Sequence, residues 1–273
     1  MIPASFDYLK VESSAEAIAA LTEYGDDAKL LAGGHSLIPL MKLRFATPEV
    51  LIDLGGITDL SYVRDHGDHL AIGALTRHCD VQASPELAAG CPIVSHVAGT
   101  VGDPQVRHRG TIGGSLAHGD PASDLPAVML ALGATLVASG PSGTREIPAV
   151  DFFCGFLETA LAADELLTEI RVPRHTTGWS YQKFNRRAQD WAIVGVAAVT
   201  GDRTGVSLVN MGPAPMRAEA TEAALATGAD AATAAAAAAE GTEPSSDQHG
   251  TADYRRHLAR VLTKRALVEA GLR

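Results

Sequence analysis

The amino-acid sequence predicts an α+β protein of two domains, and three features predict it. Strand, helix and strand alternate over residues 1–55, an antiparallel meander follows Pro173, and a helical tail closes the chain. Two stretches of matching grammar organise the part between. Ala32-Gly33-Gly34-His35-Ser36-Leu37 and Thr111-Ile112-Gly113-Gly114-Ser115-Leu116 each bring apolar or β-branched residues into paired glycines, then reach a small hydroxyl residue followed by Leu.

Taken in order, Ser13 to Glu16 reads as a capping box ahead of an Ala-rich helix that ends near Gly25. Lys29 to Ala32 is an apolar strand that delivers the first glycine pair. Leu37 to Arg44 reads as a short helix with Pro39 in its first turn, and Val50 to Asp53 as a buried strand. Residues 1–55 thus form a βαβ-type unit. Beyond it, His69 to Ile72 is strand-like, Thr76 to Ala89 and Pro92 to Val101 are helical, and the basic segment Asp103 to Gly110 leads into the second glycine pair.

An irregular stretch, Ala117 to Pro126, precedes a helix from about Ala127 to Leu132. Ala134 to Ala138 is a strand followed by the turn Gly140 to Gly143, and this second unit ends near Pro173. Ser180 to Asn185, Ala192 to Val199 and Val206 to Asn210 form the meander. The alanine run Ala218 to Glu240 reads as a packed helix on propensity, and Gly241 to Gly250 as a polar loop. Tyr254, Leu258, Val261, Leu262 and Leu267 set the apolar face of a last helix closing near Gly271. Arg255, Arg256, Arg260, Lys264 and Arg265 read as its solvated or partner-facing side.

Paired glycines let consecutive backbone N–H groups converge and let a bulky anion come close, which holds phosphate without lysines. One Gly-Gly pair is most often a tight turn; two in matched context suit the two sides of a diphosphate. Neither is a Rossmann fingerprint or a Walker loop, since G-x-G-x-x-G and Gly-Lys-Ser/Thr are both missing.

The formal net charge of -10 excludes a nucleic-acid-binding module, which needs clustered Lys and Arg. No window reaches about 18 consecutive apolar residues and the start lacks a basic region ahead of an apolar core, so a cytoplasmic protein with no transmembrane segment is expected. Cys79, Cys91 and Cys154 are too few and too scattered for a disulfide framework or an iron–sulfur cluster, and the ten histidines lack metal-ligand spacing.

Five ordered motifs then carry a resemblance that spans the chain. They are Ala32 to Ser36, Thr111 to Gly114, Asp120-Pro121-Ala122-Ser123-Asp124-Leu125-Pro126, Ile170-Arg171-Val172-Pro173, and Tyr181 to Phe184 with Arg186 to Ala192. Together they resemble the medium, FAD-binding subunit of molybdenum hydroxylases, a group that includes aerobic carbon monoxide dehydrogenase and the flavin domain of xanthine dehydrogenase. The resemblance implies a vanillyl-alcohol-oxidase (PCMH-type) FAD-binding domain over residues 1–174, with subdomains of about 1–55 and 56–174. A C-terminal α+β domain over 175–273, with a three-stranded antiparallel sheet and helices, would follow it.

The resemblance also implies site residues. Ala32, Gly33, Gly34, His35, Ser36 and Leu37 with Thr111, Ile112, Gly113, Gly114 and Ser115 would clasp the FAD diphosphate. Asp124 would bond flavin hydroxyls, Lys183 would bring positive charge to the ring, and Val101, Leu167 and Trp191 would line the cofactor. Without the resemblance, Asp124 is a good helix N-cap, Lys183 an exposed strand lysine, and Val101 and Leu167 ordinary core. The chain departs from the family pattern twice: Ser115 stands where the second loop usually ends in Asn, and Trp191 where the carbon monoxide enzymes carry Tyr.

The implied function is an oxidoreductase subunit that binds FAD noncovalently and names no catalytic acid or base. Its electrons would come from [2Fe-2S] clusters on a small partner, fed by a molybdenum cofactor on a large partner, in a dimer of heterotrimers peripheral to the inner face of the membrane. A quinone or NAD would reoxidise it. Two rivals stand: a self-contained flavin oxidase with FAD attached through His35, and a scaffold that has kept the fold and lost the cofactor.

Overall fold

The structure, a computed structural model, describes residues 2–273. The first unit is β1 (Asp7–Lys10), α1 (Ser14–Tyr24), β2 (Ala28–Leu31), α2 (Leu37–Leu43) and β3 (Val50–Asp53), and its three parallel strands lie in the order β1-β3-β2. Ser13 caps α1 by accepting from the Glu16 N–H at 3.2 Å, and the Glu16 carboxylate reaches back to the Glu12 N–H at 2.9 Å, one residue before the cap. Gly25, at φ +53°, ends the helix in a conformation that L side chains rarely adopt. Val11, Ala17, Leu21, Ile52 and Leu54 form this unit's own small core.

The second unit is built on a five-stranded antiparallel sheet in the order β4-β5-β10-β6-β7. Its strands are β4 (Val63–Asp65), β5 (His69–Gly73), β6 (Thr135–Gly140), β7 (Gly143–Pro148) and β10 (Leu166–Pro173), and a small hairpin pairs β8 (Phe153–Gly155) with β9 (Glu158–Thr159). Its helices are α3 (His78–Ala83), α4 (Pro85–Gly90), α5 (Pro92–Ala98), α6 (Pro104–Arg107), α7 (Ile112–His118), α8 (Asp124–Leu132) and α9 (Ala149–Phe152). The helix expected over Thr76 to Ala89 is two, because Pro85 cannot continue α3 and Ser84 caps α4 by accepting from the Leu87 N–H at 3.2 Å.

Helix α8 begins at Asp124, earlier than expected, with Ser123 as its N-cap residue. All of its residues are buried, since it lies between the five-stranded sheet and the strands of the next unit, and a helix covered all round must be apolar all round.

The C-terminal unit carries four antiparallel strands where three are expected: β11 (Trp179–Phe184), β12 (Val194–Val199), β13 (Gly205–Val209) and the two-residue edge strand β14 (Met216–Arg217). One face packs on α8 and the other on α10 (Glu219–Ala226), α11 (Ala231–Ala236) and α12 (Ala252–Glu269), so β12 and β13 are buried throughout. The alanine run is thus two helices rather than one. Gly228, at φ +86°, breaks it, and Asp230 caps α11.

Arg255 overturns the expectation of a fully solvated basic face: its side chain is 1% exposed and holds the Ile193 carbonyl at 2.5 Å and Asp247 at 2.7 Å. Tyr254 instead faces solvent. No helix among the described residues is long and apolar enough to cross a membrane.

Candidate functional site

A cleft of about 600 Å³ opens where the two glycine stretches meet each other and the C-terminal sheet. Ala32, Gly33, Gly34, His35, Ser36 and Leu37 line it from the loop between β2 and α2. Thr111, Gly113, Gly114 and Ser115 line it from the start of α7, Asp124 from the start of α8, Lys183 from β11, and Val101, Leu167 and Trp191 from the remaining sides. Of the residues expected at the site, Ile112 stands apart. Its side chain is buried in the core, and its N–H donates to the Thr76 carbonyl.

The two loops differ in what they offer. In the second, the donors from Ile112 to Ser115 are engaged within the fold: Ile112 to Thr76 O at 3.0 Å, Gly113 to Ala74 O at 2.9 Å, Gly114 to Thr111 Oγ1 at 3.1 Å and Ser115 to Thr111 O at 3.1 Å. Thr111, the N-cap of α7, takes up the last two, and the segment after β5 takes up the first two. In the first loop, the N–H groups of Gly33, Gly34, His35, Ser36 and Leu37 have no acceptor among the described residues. Gly34 takes φ +77° and turns this run. Consecutive free donors of this kind are the chemistry that a phosphate group accepts, so the donor set fits a diphosphate, asymmetrically.

The glycines also have a packing reason that spacing does not show. A Cβ built on Gly33 would meet the Arg109 carbonyl oxygen at 2.5 Å and the Gly110 Cα at 2.6 Å, and one on Gly113 would meet Ala74 at 2.5 Å. A Cβ on Gly114 would come within 3.6 Å of the Ala32 Cβ. Bare backbone at Gly33 and Gly114 brings the two loops into contact, and at Gly113 it seats the second loop against Ala74.

At the other side of the cleft, Lys183 donates to Asp124 Oδ2 at 2.7 Å and to the Thr100 carbonyl at 3.0 Å, while the Tyr181 hydroxyl donates to Asp124 Oδ1 at 2.5 Å. Both members of the ion pair are buried, with side chains 10% and 7% exposed. Asp124 therefore caps nothing: it is the first helical residue, placed where the helix dipole favours a carboxylate. Burial pushes its carboxyl above the usual carboxylate range, with the Lys183 ammonium and then the two hydrogen bonds opposing.

Leu167 comes to the cleft where the register of β10 against β6 slips between Leu167 and Glu169, a bulge that re-aims the strand. Trp191 stands at the rim, 58% exposed. Sequence reasoning missed Tyr181 as a partner of Asp124, although the period of two on a strand sets it on the face of Lys183. It also missed His78, which lines the cleft, is buried, and has an Nδ1 with no partner among the described residues. Burial first, then His35 and Arg107, lowers its pKa from 6.5 to about 4.

Comparison with known proteins follows this geometry. Residues 4–175 match the FAD binding domain in molybdopterin dehydrogenase, and residues 179–270 the CO dehydrogenase flavoprotein C-terminal domain. The carbon monoxide dehydrogenase medium chain of Hydrogenophaga pseudoflava is 44% identical over 100% of this chain and 99% of its own. Subunit alpha of the 6-hydroxypseudooxynicotine dehydrogenase complex of Paenarthrobacter nicotinovorans is 38% identical over 99% of this chain and 96% of its own. Among solved structures, carbon monoxide dehydrogenase from Hydrogenophaga pseudoflava superposes with a TM-score of 0.94 at 45% identity, covering 99% of this chain and 98% of that one. Quinoline 2-oxidoreductase from Pseudomonas putida 86 does so at 0.91 and 34% identity, with coverage of 99% and 98%. The chain belongs to the FAD-binding medium-chain family of carbon monoxide dehydrogenase and related molybdenum hydroxylases, and is an oxidoreductase subunit.

Proposed function

We propose that this chain is the electron-transfer flavin subunit of a multi-subunit molybdenum dehydrogenase. It takes electrons from iron–sulfur clusters of a small partner subunit and passes them to an external acceptor, a quinone or NAD. The observation that carries the reading is the cleft itself. A run of free backbone donors lies at one side and a buried Asp124–Lys183 pair at the other, in a chain whose family is defined by FAD. Residues 1–174 act as the flavin-binding domain and residues 175–273 close the cleft with Lys183 and Trp191.

In this reading the N–H groups of Gly33 to Leu37 hold the diphosphate, and Thr111 and Ser115 add hydroxyls from the second loop. Asp124 keeps acceptor capacity for a flavin hydroxyl beyond its two internal bonds, and Lys183 brings positive charge. Val101, Leu167 and Trp191 supply apolar cover. Bound noncovalently, FAD supplies the redox chemistry, which joins one-electron and two-electron steps.

The large molybdenum-binding partner completes a heterotrimer that pairs into a dimer, in the cytoplasm or against the inner face of the membrane. Relatives of this one architecture are named for carbon monoxide, 6-hydroxypseudooxynicotine and quinoline, so substrate choice belongs to that partner. The test is purification from the native host. A small Cys-rich chain and a large molybdenum-binding chain are expected to accompany this one, whereas isolation as an active oxidase free of both would overturn the reading.

A further inference from the structure

Tyr181 has a chemistry that the flavin reading leaves unused. It lies on β11 two residues before Lys183, 8% exposed, and its hydroxyl meets Asp124 Oδ1 at 2.5 Å while Lys183 holds Oδ2 at 2.7 Å. The strand opposite makes room for it. Gly195 of β12, paired with Lys183, would carry a Cβ only 3.1 Å from the Tyr181 hydroxyl, so glycine there leaves the phenol free to reach across the domain junction.

We infer that Tyr181 is the positioning residue of the Asp124–Lys183 pair. Its hydroxyl fixes the orientation of Asp124 and holds the carboxylate ionised, so that the cleft presents an acceptor balanced by one ammonium rather than a lone positive charge. A buried carboxylate needs donors on both oxygens, because each donor offsets part of the lost hydration. Here one is a cation and the other a neutral phenol that burial keeps protonated.

Among the described residues, no other titratable side chain bonds to Asp124. β12 and β13, packed along α8, carry none; Glu169 and Arg171 of β10 pair with each other, and Arg217 of β14 pairs with Glu222. His96 of α5 lies tilted against Trp179, and His118 of α7 lines the cleft with Asp120 as its charged neighbour. The inference rests on the flavin reading only for its effect on FAD, and the experiment separates the two.

In the full chain without flavin, the protonation of Asp124 is followed by carbon-13 NMR of aspartate-labelled protein, with the signal assigned by its loss in Asp124→Asn. Tyr181→Phe is expected to move the titration midpoint of Asp124 up by about one pH unit, a tenfold gain in proton affinity. An unchanged midpoint in a folded Tyr181→Phe protein overturns the inference. Should Tyr181→Phe fail to fold, 3-fluorotyrosine at the tyrosine positions, a better donor of nearly the same shape, is expected to move the midpoint down, and no movement again overturns it. FAD affinity is measured across the same pH range. An Asp124 shift that leaves FAD affinity untouched upholds the role of Tyr181 and counts against the contact between Asp124 and flavin.

Discussion

Lys183 Nζ lies 2.7 Å from Asp124 Oδ2 across the junction of the two family-matched segments, and the same ammonium holds the Thr100 carbonyl at 3.0 Å. One side chain thus ties β11 to the start of α8 and to the segment after α5. Removing it leaves a buried carboxylate with a single donor. Lys183→Met is expected to lower unfolding stability by about 3 kcal/mol near pH 7.5. The loss should shrink toward pH 5.5, because the stranded Asp124 takes up a proton in the fold at a pH where the unfolded chain does not. Urea unfolding at the two pH values checks this, and an equal loss at both would show that the lysine acts only through packing.

Gly33 offers a sharper test of the loop contact than any polar residue. With Arg109 O at 2.5 Å and Gly110 Cα at 2.6 Å from a would-be Cβ, Gly33→Ala has to drive two backbones apart. Gly114→Ala instead meets a single side-chain atom, Thr111 Oγ1, at 2.8 Å, and no backbone. Overpacking against backbone costs about 1–3 kcal/mol, so FAD affinity should fall about tenfold or more in Gly33→Ala and less in Gly114→Ala. Quenching of FAD fluorescence on titration measures both. Equal affinities in the two variants would mean that contact between the loops does not shape the cleft.

How far the sequence reaches is clear from these two positions. Paired glycines, the capping box at Ser13, the strands that flank α2 and the meander are local patterns, and they appear where the spacing puts them, whereas β1 (Asp7–Lys10), short and mostly exposed, is a strand that the pattern does not mark. What spacing cannot carry is which backbone lies against Gly33, or that Thr111, by capping α7, engages the Gly114 donor while Thr76 and Ala74 take those of Ile112 and Gly113. The breaks at Ser84 and Gly228 are punctuation inside stretches that read as single helices: Ser84-Pro85 caps and restarts one, and Gly228 interrupts the other despite the helix propensity of its alanines. Arg255 carries no local mark that separates it from its basic neighbours, since charged residues are rarely buried, and only the tertiary partners Ile193 and Asp247 stabilise it in the core.

His78 gives the apoprotein an acid-sensitive term. Its pKa, lowered from 6.5 to about 4, keeps it neutral in the fold at a pH where the unfolded chain binds a proton. Stability therefore rises with pH between about 4 and 6.5 on its account, and below that window the full term, roughly 3 kcal/mol, is lost. The difference in unfolding free energy between wild type and His78→Gln should drift by that amount from pH 7 to pH 4. A difference that stays constant would place the ring in contact with water.

The position of His35 decides how flavin is attached. Its backbone N–H belongs to the run of free donors from Gly33 to Leu37, and its side chain is exposed. If that run holds the diphosphate, the ring system lies with Asp124, Lys183 and Trp191 on the far side of the cleft, and the His35 imidazole is left at the phosphate end with no carbon of the ring to attack. Protein isolated with its flavin and precipitated with acid is therefore expected to release all of its yellow colour to the supernatant, and His35→Ala, which keeps the backbone N–H, should not change that outcome. Flavin that stays with the pellet in wild type and leaves it in His35→Ala would reverse the assignment, making His35 the attachment point and putting the ring, not the diphosphate, against the first glycine pair.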